Sequence, residues 1–253
     1  MIFIVGTGAG GELETTPRAA QALERADVIV GYKTYIDLLP LEFKRKKVFS
    51  FAMKQEIMRC RQAAKLALAG HDVAVVSGGD AGVYGMAGPM LEVLNALGDT
   101  SVEVEVIPGV TAACSAAAVL GAPLTHDFAV VSLSDLLTPW PLIEKRLTLA
   151  AKADFVLCLY NPASRTRKDC LRRACDAVMT ARNGVTPSGW VRNAGREGQA
   201  YKILSLRELR DESLDMCCTV VIGNPGTKIL SGRMVTPRGY FQEKAGEIDD
   251  IDD

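Results

Sequence analysis

Three stretches of the 253-residue sequence place glycines where a backbone must turn sharply or come close to a ligand. The first, Gly6-Thr-Gly-Ala-Gly-Gly11, follows an apolar run and formally satisfies the glycine pattern of a dinucleotide-binding turn. Two features oppose that reading. The next helix opens only after Thr15-Thr16-Pro17, so the loop is too long to set a pyrophosphate on a helix N-terminus. The following strand ends Val30-Gly31-Tyr32 and lacks the acidic residue that would hold a ribose hydroxyl. An NAD(P)-dependent reductase therefore stays an alternative with an unmet requirement, beside a strand-end turn that binds nothing.

The second stretch, Ser77-Gly-Gly-Asp-Ala-Gly-Val-Tyr-Gly85, leaves a β-branched run at the carboxyl edge where open α/β sheets bind ligands. Its carboxylate, Asp80, either meets a cationic group of a ligand or caps the helix that follows. The third, Ile107-Pro-Gly-Val-Thr111, leads into a helix of alanine, cysteine and serine, whose small side chains let a ligand or another helix approach. Taken together the three predict neighbouring glycine-lined strand ends around one cleft. Asn161, in Tyr160-Asn-Pro162, marks a further strand-end turn that is either a ligand contact or purely structural. A Ser132, His126 and Asp135 hydrolase lacks the GxSxG elbow such chemistry uses.

The elements that must carry these loops alternate. Strands are expected at residues 2–5, 28–30, 73–76, 102–107, 129–131, 155–159, 189–191 and 219–222, with helices between them, the signature of an α/β protein. Thr16 caps a helix over residues 18–26, with Pro17 at its first position. Residues 55–69 place Ile57, Cys60, Ala64 and Leu68 on one apolar face, and Gly70 supplies the stop. Residues 165–181 repeat the pattern with Leu171, Ala174, Cys175 and Val178 inward. The segment Leu120-Gly-Ala-Pro-Leu-Thr-His126 predicts a boundary between an N-terminal lobe, residues 1–122, and a C-terminal lobe, residues 123–240. The acidic residues 241–253 are expected to be disordered.

Composition bounds the partners. Lys plus Arg number 29 against 30 Asp plus Glu, a formal charge of −1, so the basic face that nucleic acid or an anionic membrane requires is not indicated. No apolar run reaches a membrane span, and the start Met1-Ile-Phe-Ile-Val-Gly lacks a basic signal region, which predicts a cytoplasmic protein. Seven cysteines without a CxxC pair and only two histidines, His71 and His126, argue against both a disulfide framework and a protein-held metal.

These loops, with Val30-Gly-Tyr-Lys-Thr-Tyr35, Pro108-Gly-Val-Thr-Ala112, His126-Asp-Phe and Ser132-Leu-Ser-Asp-Leu-Leu-Thr-Pro-Trp140, resemble the tetrapyrrole methylases of cobalamin biosynthesis over almost the whole chain. Two segments, Gly-Tyr-Lys-Thr-Tyr and Leu-Ser-Asp-Leu-Leu-Thr-Pro-Trp, are similar to the members that methylate C17 of precorrin-3B or cobalt-factor III and contract the macrocycle. A member acting at another corrin position, such as C11, is the nearest alternative, and a ligand-binding module without catalysis is a third. The resemblance implies a homodimer of two α/β lobes, with an open sheet in each and the active-site cleft between them. It also implies S-adenosylmethionine as cofactor and an acidic tetrapyrrole as substrate, with any cobalt carried by that substrate. Its cofactor positions fall on Gly78, Asp80, Val83, Thr111, Ala112, Asn161 and Cys218. Substrate positions fall on Gly8, Ala9, Gly10, Lys33, Lys54 and Ser132, with Arg59 as a further cation for substrate carboxylates. Ala9 stands where the family usually has proline. For the proton transfers of ring contraction the candidates are Tyr32, Tyr35, His126 and Asp135, with Asp127 beside them.

Overall fold

The computed structural model describes residues 1–98, 101–164 and 168–240. Contacts divide the chain into two units: Met1–Val119 with Val191–Tyr201 and Cys217–Thr219, and Leu120–Trp190 with Lys202–Met216 and the chain from Val220 on. The expected acidic tail, and residues 165–167 at the start of one expected helix, lie outside the described residues.

The first unit is built on β1 (Ile2–Gly6), β2 (Val28–Tyr32), β3 (Lys47–Phe51), β4 (Val73–Ser77) and β5 (Val104–Ile107), in spatial order β3-β2-β4-β1-β5. Each neighbouring pair is parallel. Parallel strands need helical crossovers that cover both faces, so their sequences read as unbroken apolar runs rather than alternating ones. Ile2, Phe3, Ile4 and Val5 are accordingly fully buried, as are Val73, Ala74, Val75 and Val76, each large side chain contributing roughly 1.5–3 kcal/mol. On one face α1 (Pro17–Arg25), α2 (Lys33–Asp37) and α3 (Leu41–Lys44) pack Leu23, Ile36 and Phe43 against Phe3, Val5 and Ile29. On the other, α4 (Glu56–Leu68) and α5 (Ala87–Leu97) meet Ile2, Ile4, Val73 and Val75. Thr16 caps α1 through its side chain, which accepts from Ala19 N at 3.1 Å.

The inward face of α4 differs from the expected one. Cys60 and Ala64 are buried as expected, but Ile57 and Leu68 are each nearly half exposed, and Ala63 and Ala67 are buried in their place. Small side chains on that stripe let the helix lie close to the sheet and to α5, which larger residues would hold off. β5 begins at Val104 rather than Val102, because its pairing with β1 begins at Ile2 opposite Val104. From its end the chain enters α6 (Ala112–Leu120).

A second five-stranded sheet, in order β10-β9-β11-β8-β7, contains β7 (Phe128–Ser132), β8 (Val156–Tyr160), β9 (Pro187–Arg192), β10 (Ala200–Ser205) and β11 (Cys218–Ile222). β7 and β8 are parallel, and β11 runs antiparallel to β8. Helices α7 (Trp140–Lys152), α8 (Cys170–Met179) and α9 (Leu206–Leu209) bury Ile143, Leu147, Leu171, Ala174, Cys175, Val178 and Leu206 against it. A small sheet of β6 (Gly121–Ala122), β12 (Lys228–Leu230) and β13 (Arg233–Val235) completes the second unit. Among the described residues no helix is long and apolar enough to cross a membrane.

Candidate active site

Because β4, β1 and β5 are adjacent and parallel, the three glycine-lined loops leave the sheet side by side. They are then tied to one another by backbone. Gly8 and Gly79 exchange hydrogen bonds of 3.0 and 2.8 Å in an isolated antiparallel bridge, and Thr7 donates through N and Oγ1 to the Ser77 carbonyl at 2.9 and 3.0 Å. A Cβ on Gly6 would stand 2.7 Å from Gly109 N, and one on Gly109 would stand 2.6 Å from the Gly6 carbonyl oxygen. Only glycine permits backbones to meet this closely.

Asp80 is the knot of this web. One carboxylate oxygen accepts from Gly82 N at 2.7 Å and Val83 N at 3.1 Å; the other accepts from Gly109 N at 3.0 Å. This corrects the capping alternative for Asp80. It caps no helix, since α5 begins only at Ala87, and its carboxylate joins the second loop to the third. Gly78 lies under the Tyr35 ring, and Thr111 and Ala112 open α6 facing Gly79, where an added Cβ would rest 3.6 Å from Ala112 N, an ordinary contact. Half-buried Thr111 and Ala112, with Gly79 opposite, leave backbone donors and acceptors approachable past almost no side chain.

A clip absent from the sequence reading fastens the first loop. The Glu14 carboxylate accepts from Ser115 Oγ of α6 at 2.7 Å, and it lies against both Gly10 and Gly195, where added Cβ atoms would collide with it. Gly195 belongs to the 191–201 segment, which joins β9 to β10 yet packs with the first unit. Nothing in the spacing of residues so far apart announces this contact.

Beside the web, where β2 ends, Tyr32 and Tyr35 form an edge-to-face pair with ring centroids 5.4 Å apart. Burial pushes the Tyr35 phenol above its ordinary value and the Tyr32 phenol adds to the rise, while the Arg196 and Arg59 cations oppose it. The net effect keeps Tyr35 protonated at neutral pH. Arg59, expected as an open cation for substrate carboxylates, is instead buried: its guanidinium carbon lies 6.0 Å from the Tyr32 ring and it donates to Met86 Sδ at 3.1 Å. Lys33 pairs with Asp37 at 2.9 Å one helical turn on, and Lys54 is exposed in a left-handed turn with φ 66.

In the second unit, Ser132 and Asn161 are brought together at the carboxyl ends of β7 and β8. Asn161 Nδ2 donates to Ser132 Oγ at 2.9 Å, and Ser134 N donates to the same oxygen at 3.2 Å. Asn161 holds a φ of 55, a left-handed conformation that asparagine tolerates better than most residues. Asp135 is exposed just past this end of β7. His126 is not brought there. It precedes β7 at the opposite, amino end, about half exposed, with Nδ1 accepting from Asp127 N at 2.9 Å and lying 3.6 Å from the Asp127 carboxylate. Cys218 is buried as the first residue of β11.

Among the described residues no group of three or more His, Cys, Asp or Glu side chains is placed to hold a metal ion. Against this geometry, residues 1–210 match the family model of tetrapyrrole (corrin/porphyrin) methylases. A probable cobalt-factor III C(17)-methyltransferase of Salmonella typhimurium is 47% identical over 240 residues, covering 95% of this chain and 99% of that one. A precorrin-3B C(17)-methyltransferase of Sinorhizobium is 39% identical over 247 residues, covering 94% and 96%. The crystal structure of the methyltransferase CobJ superposes with a TM-score of 0.86 at 34% identity, over 93% of this chain and 99% of that one.

Proposed function

The chain belongs to the tetrapyrrole (corrin/porphyrin) methylases, and from that membership we propose that it methylates C17 of cobalt-factor III or precorrin-3B, with contraction of the ring, in cobalamin biosynthesis. One observation carries the reading: 47% identity to a probable cobalt-factor III C(17)-methyltransferase extends across 95% of this chain and 99% of the relative. The reading includes S-adenosylmethionine as the methyl donor, a homodimer, a cytoplasmic location, and two lobes meeting near residue 122.

S-adenosylmethionine supplies a methyl group already activated on a sulfonium, so the chain needs neither a nucleophile nor a metal of its own for the transfer. What its residues do is align and enclose. Gly78, Gly79, Val83, Thr111 and Ala112 offer the adenosyl group a surface of backbone and small side chains; this set fits because nothing stands closer than ordinary contact to the side-chain position of Gly79, so its backbone is approachable there. Asp80 serves as a positioning residue that holds those loops in register. Asn161, fixed by Ser132, and Cys218 are the contacts assigned in the remaining elements. Gly8, Ala9 and Gly10 line the loop assigned to the tetrapyrrole, with Lys33 and Lys54 as outer cations. Ring contraction also moves protons, and Tyr35, held neutral by burial, is the donor best prepared for that role, with Tyr32 and Asp135 beside it as further candidates.

The test is to incubate the purified protein with S-adenosylmethionine and cobalt-factor III, then with precorrin-3B, and to read the product by mass and by NMR. A single added methyl group at C17 is the expected result. A methyl group at C11, or none with either substrate, overturns the reading. Calorimetry with S-adenosylhomocysteine, run beside NADPH, separates a methylase from a reductase before any tetrapyrrole is prepared.

A further inference from the structure

Two guanidinium groups in the first unit have no carboxylate within ion-pair distance among the described residues, though the Glu56 charge bears on Arg59, and both oppose the rise of the Tyr35 phenol. Arg59, 3% exposed, donates to Met86 Sδ at 3.1 Å and, at the limit of a hydrogen bond, to the Ala52 carbonyl at 3.5 Å. Arg196 donates from one terminal nitrogen to Asn193 Oδ1 at 3.3 Å. In each, as in Arg182, the Nε is buried without a partner, so the terminal nitrogens are what separate them. Arg59 is withdrawn from water, which is costly unless an anion or a full set of acceptors replaces its hydration, whereas Arg196 is half-buried and open to a ligand. Arg182 shows how the same fold meets that cost where no ligand is involved: its terminal nitrogens are taken up by the carbonyls of Gly223, Phe155 and Ala151. Arg59 and Arg196 have no such set.

The surroundings of these two arginines border the loops already described. An added Cβ on Gly195 would stand 2.7 Å from Gly10 Cα, which sets Arg196 beside the first loop, and the Tyr35 ring covers Gly78 of the second. Arg59 lies 6.0 Å from the ring of Tyr32, which in turn packs edge-on against Tyr35. The Tyr35 hydroxyl has no hydrogen-bond partner among the described residues. A planar guanidinium fork and a phenol O–H are together a donor set for one carboxylate, held in place by the aromatic pair.

We propose that Arg196, with the Tyr35 hydroxyl, receives a carboxylate side chain of the tetrapyrrole substrate, and that Arg59 is a positioning residue whose buried charge strengthens the site without touching the ligand. This rests on the methyltransferase reading, which supplies the acidic tetrapyrrole. The methionine carboxylate of the cofactor has the same chemistry, so the experiment separates the two.

The full chain is titrated by absorbance with cobalt-factor III and with its carboxyl-esterified form, and by calorimetry with S-adenosylhomocysteine. The unaltered protein binds the acid at least about tenfold more tightly than the ester, the scale of one charge-assisted pair. Arg196→Gln removes that preference, weakening the acid and leaving the ester and S-adenosylhomocysteine within about twofold, and Arg196→Lys restores only part of it because a point charge lacks the fork. Equal binding of acid and ester by the unaltered protein overturns the proposal with no variant needed, so a variant that fails to fold does not shelter it. Loss of S-adenosylhomocysteine affinity in Arg196→Gln, with the tetrapyrrole unaffected, overturns it in favour of the cofactor carboxylate. If the unaltered protein binds neither compound, the methyltransferase reading falls, and this proposal with it.

Discussion

Where β4, β1 and β5 end, a carboxylate and several carbonyls take up backbone donors; around the end of β2 and beside the first loop, two guanidiniums and a phenol keep donors to spare. The two regions are neighbours on one sheet edge, yet their polar groups are handled in opposite ways. A web tied by its own backbone holds its shape and offers a ligand only the few groups left approachable. A cluster with unmet donors is held less tightly by its own contacts and discriminates by charge. The difference teaches that glycine density marks the scaffold of this site, whereas recognition is expected from the less conspicuous arginines and tyrosines.

The comparison breaks most sharply at Gly109. A Cβ there meets the backbone of Gly6 and Gly79, which has no rotamer to yield, so Gly109→Ala is expected to cost about 4 kcal/mol or more, in the range reserved for buried clashes. Urea denaturation measures it, and an unchanged midpoint would mean that the loops are not packed as described. Tyr35→Phe tests the opposite region. It removes one oxygen and no packing, so stability stays within about 0.5 kcal/mol while turnover falls about 10²-fold, the usual contribution of a positioned acid or base. Because burial raises the phenol's pKa, the proton is retained as pH climbs, and the unaltered enzyme shows no alkaline loss of turnover from this group below about pH 10. An alkaline limb centred near neutrality that vanishes in Tyr35→Phe would refute that environment. Asp80→Asn lies between the two regions in effect. It turns one acceptor into a donor facing a backbone N–H, costs about 1–3 kcal/mol, and weakens S-adenosylhomocysteine through loop disorder rather than through a lost contact. The two losses should therefore move together across a temperature series.

Much of the web was legible in the sequence. Apolar runs of four residues followed by glycine place β1, β4 and their loops, and Thr16-Pro17 locates the start of α1. The edge strand β3, and β6, β12 and β13 in the second unit, were not legible, because strands this short or this exposed owe their conformation to their partners. The Glu14 clip and Arg196 escaped for a different reason. Ser115 stands 101 residues from Glu14, and the segment bearing Gly195 returns to the first loop from between β9 and β10. The work of Asp80 between the loops was not legible, since residue type announces a carboxylate but only the fold shows the amides aimed at it.

His126 and Ser132 bring the same contrast down to one strand. They are near neighbours in sequence, yet β7 runs from Phe128 to Ser132 and so separates its two ends by on the order of 13 Å at about 3.3 Å per residue. Ser132 stands at the carboxyl end with Asn161 donating to it; His126 stands before the amino end, half exposed, facing Asp127. Ser132→Ala removes the acceptor of two hydrogen bonds and is expected to cost about 1 kcal/mol and to lower cofactor affinity several-fold. His126→Ala removes a side chain whose neighbour is an exposed carboxylate, worth little in water, and is expected to change stability by less than about 0.5 kcal/mol and turnover by less than about twofold. Steady-state kinetics on both variants decide it. A large loss in His126→Ala would show that the amino end of β7 takes part in the chemistry, and that the carboxyl edge alone does not define this site.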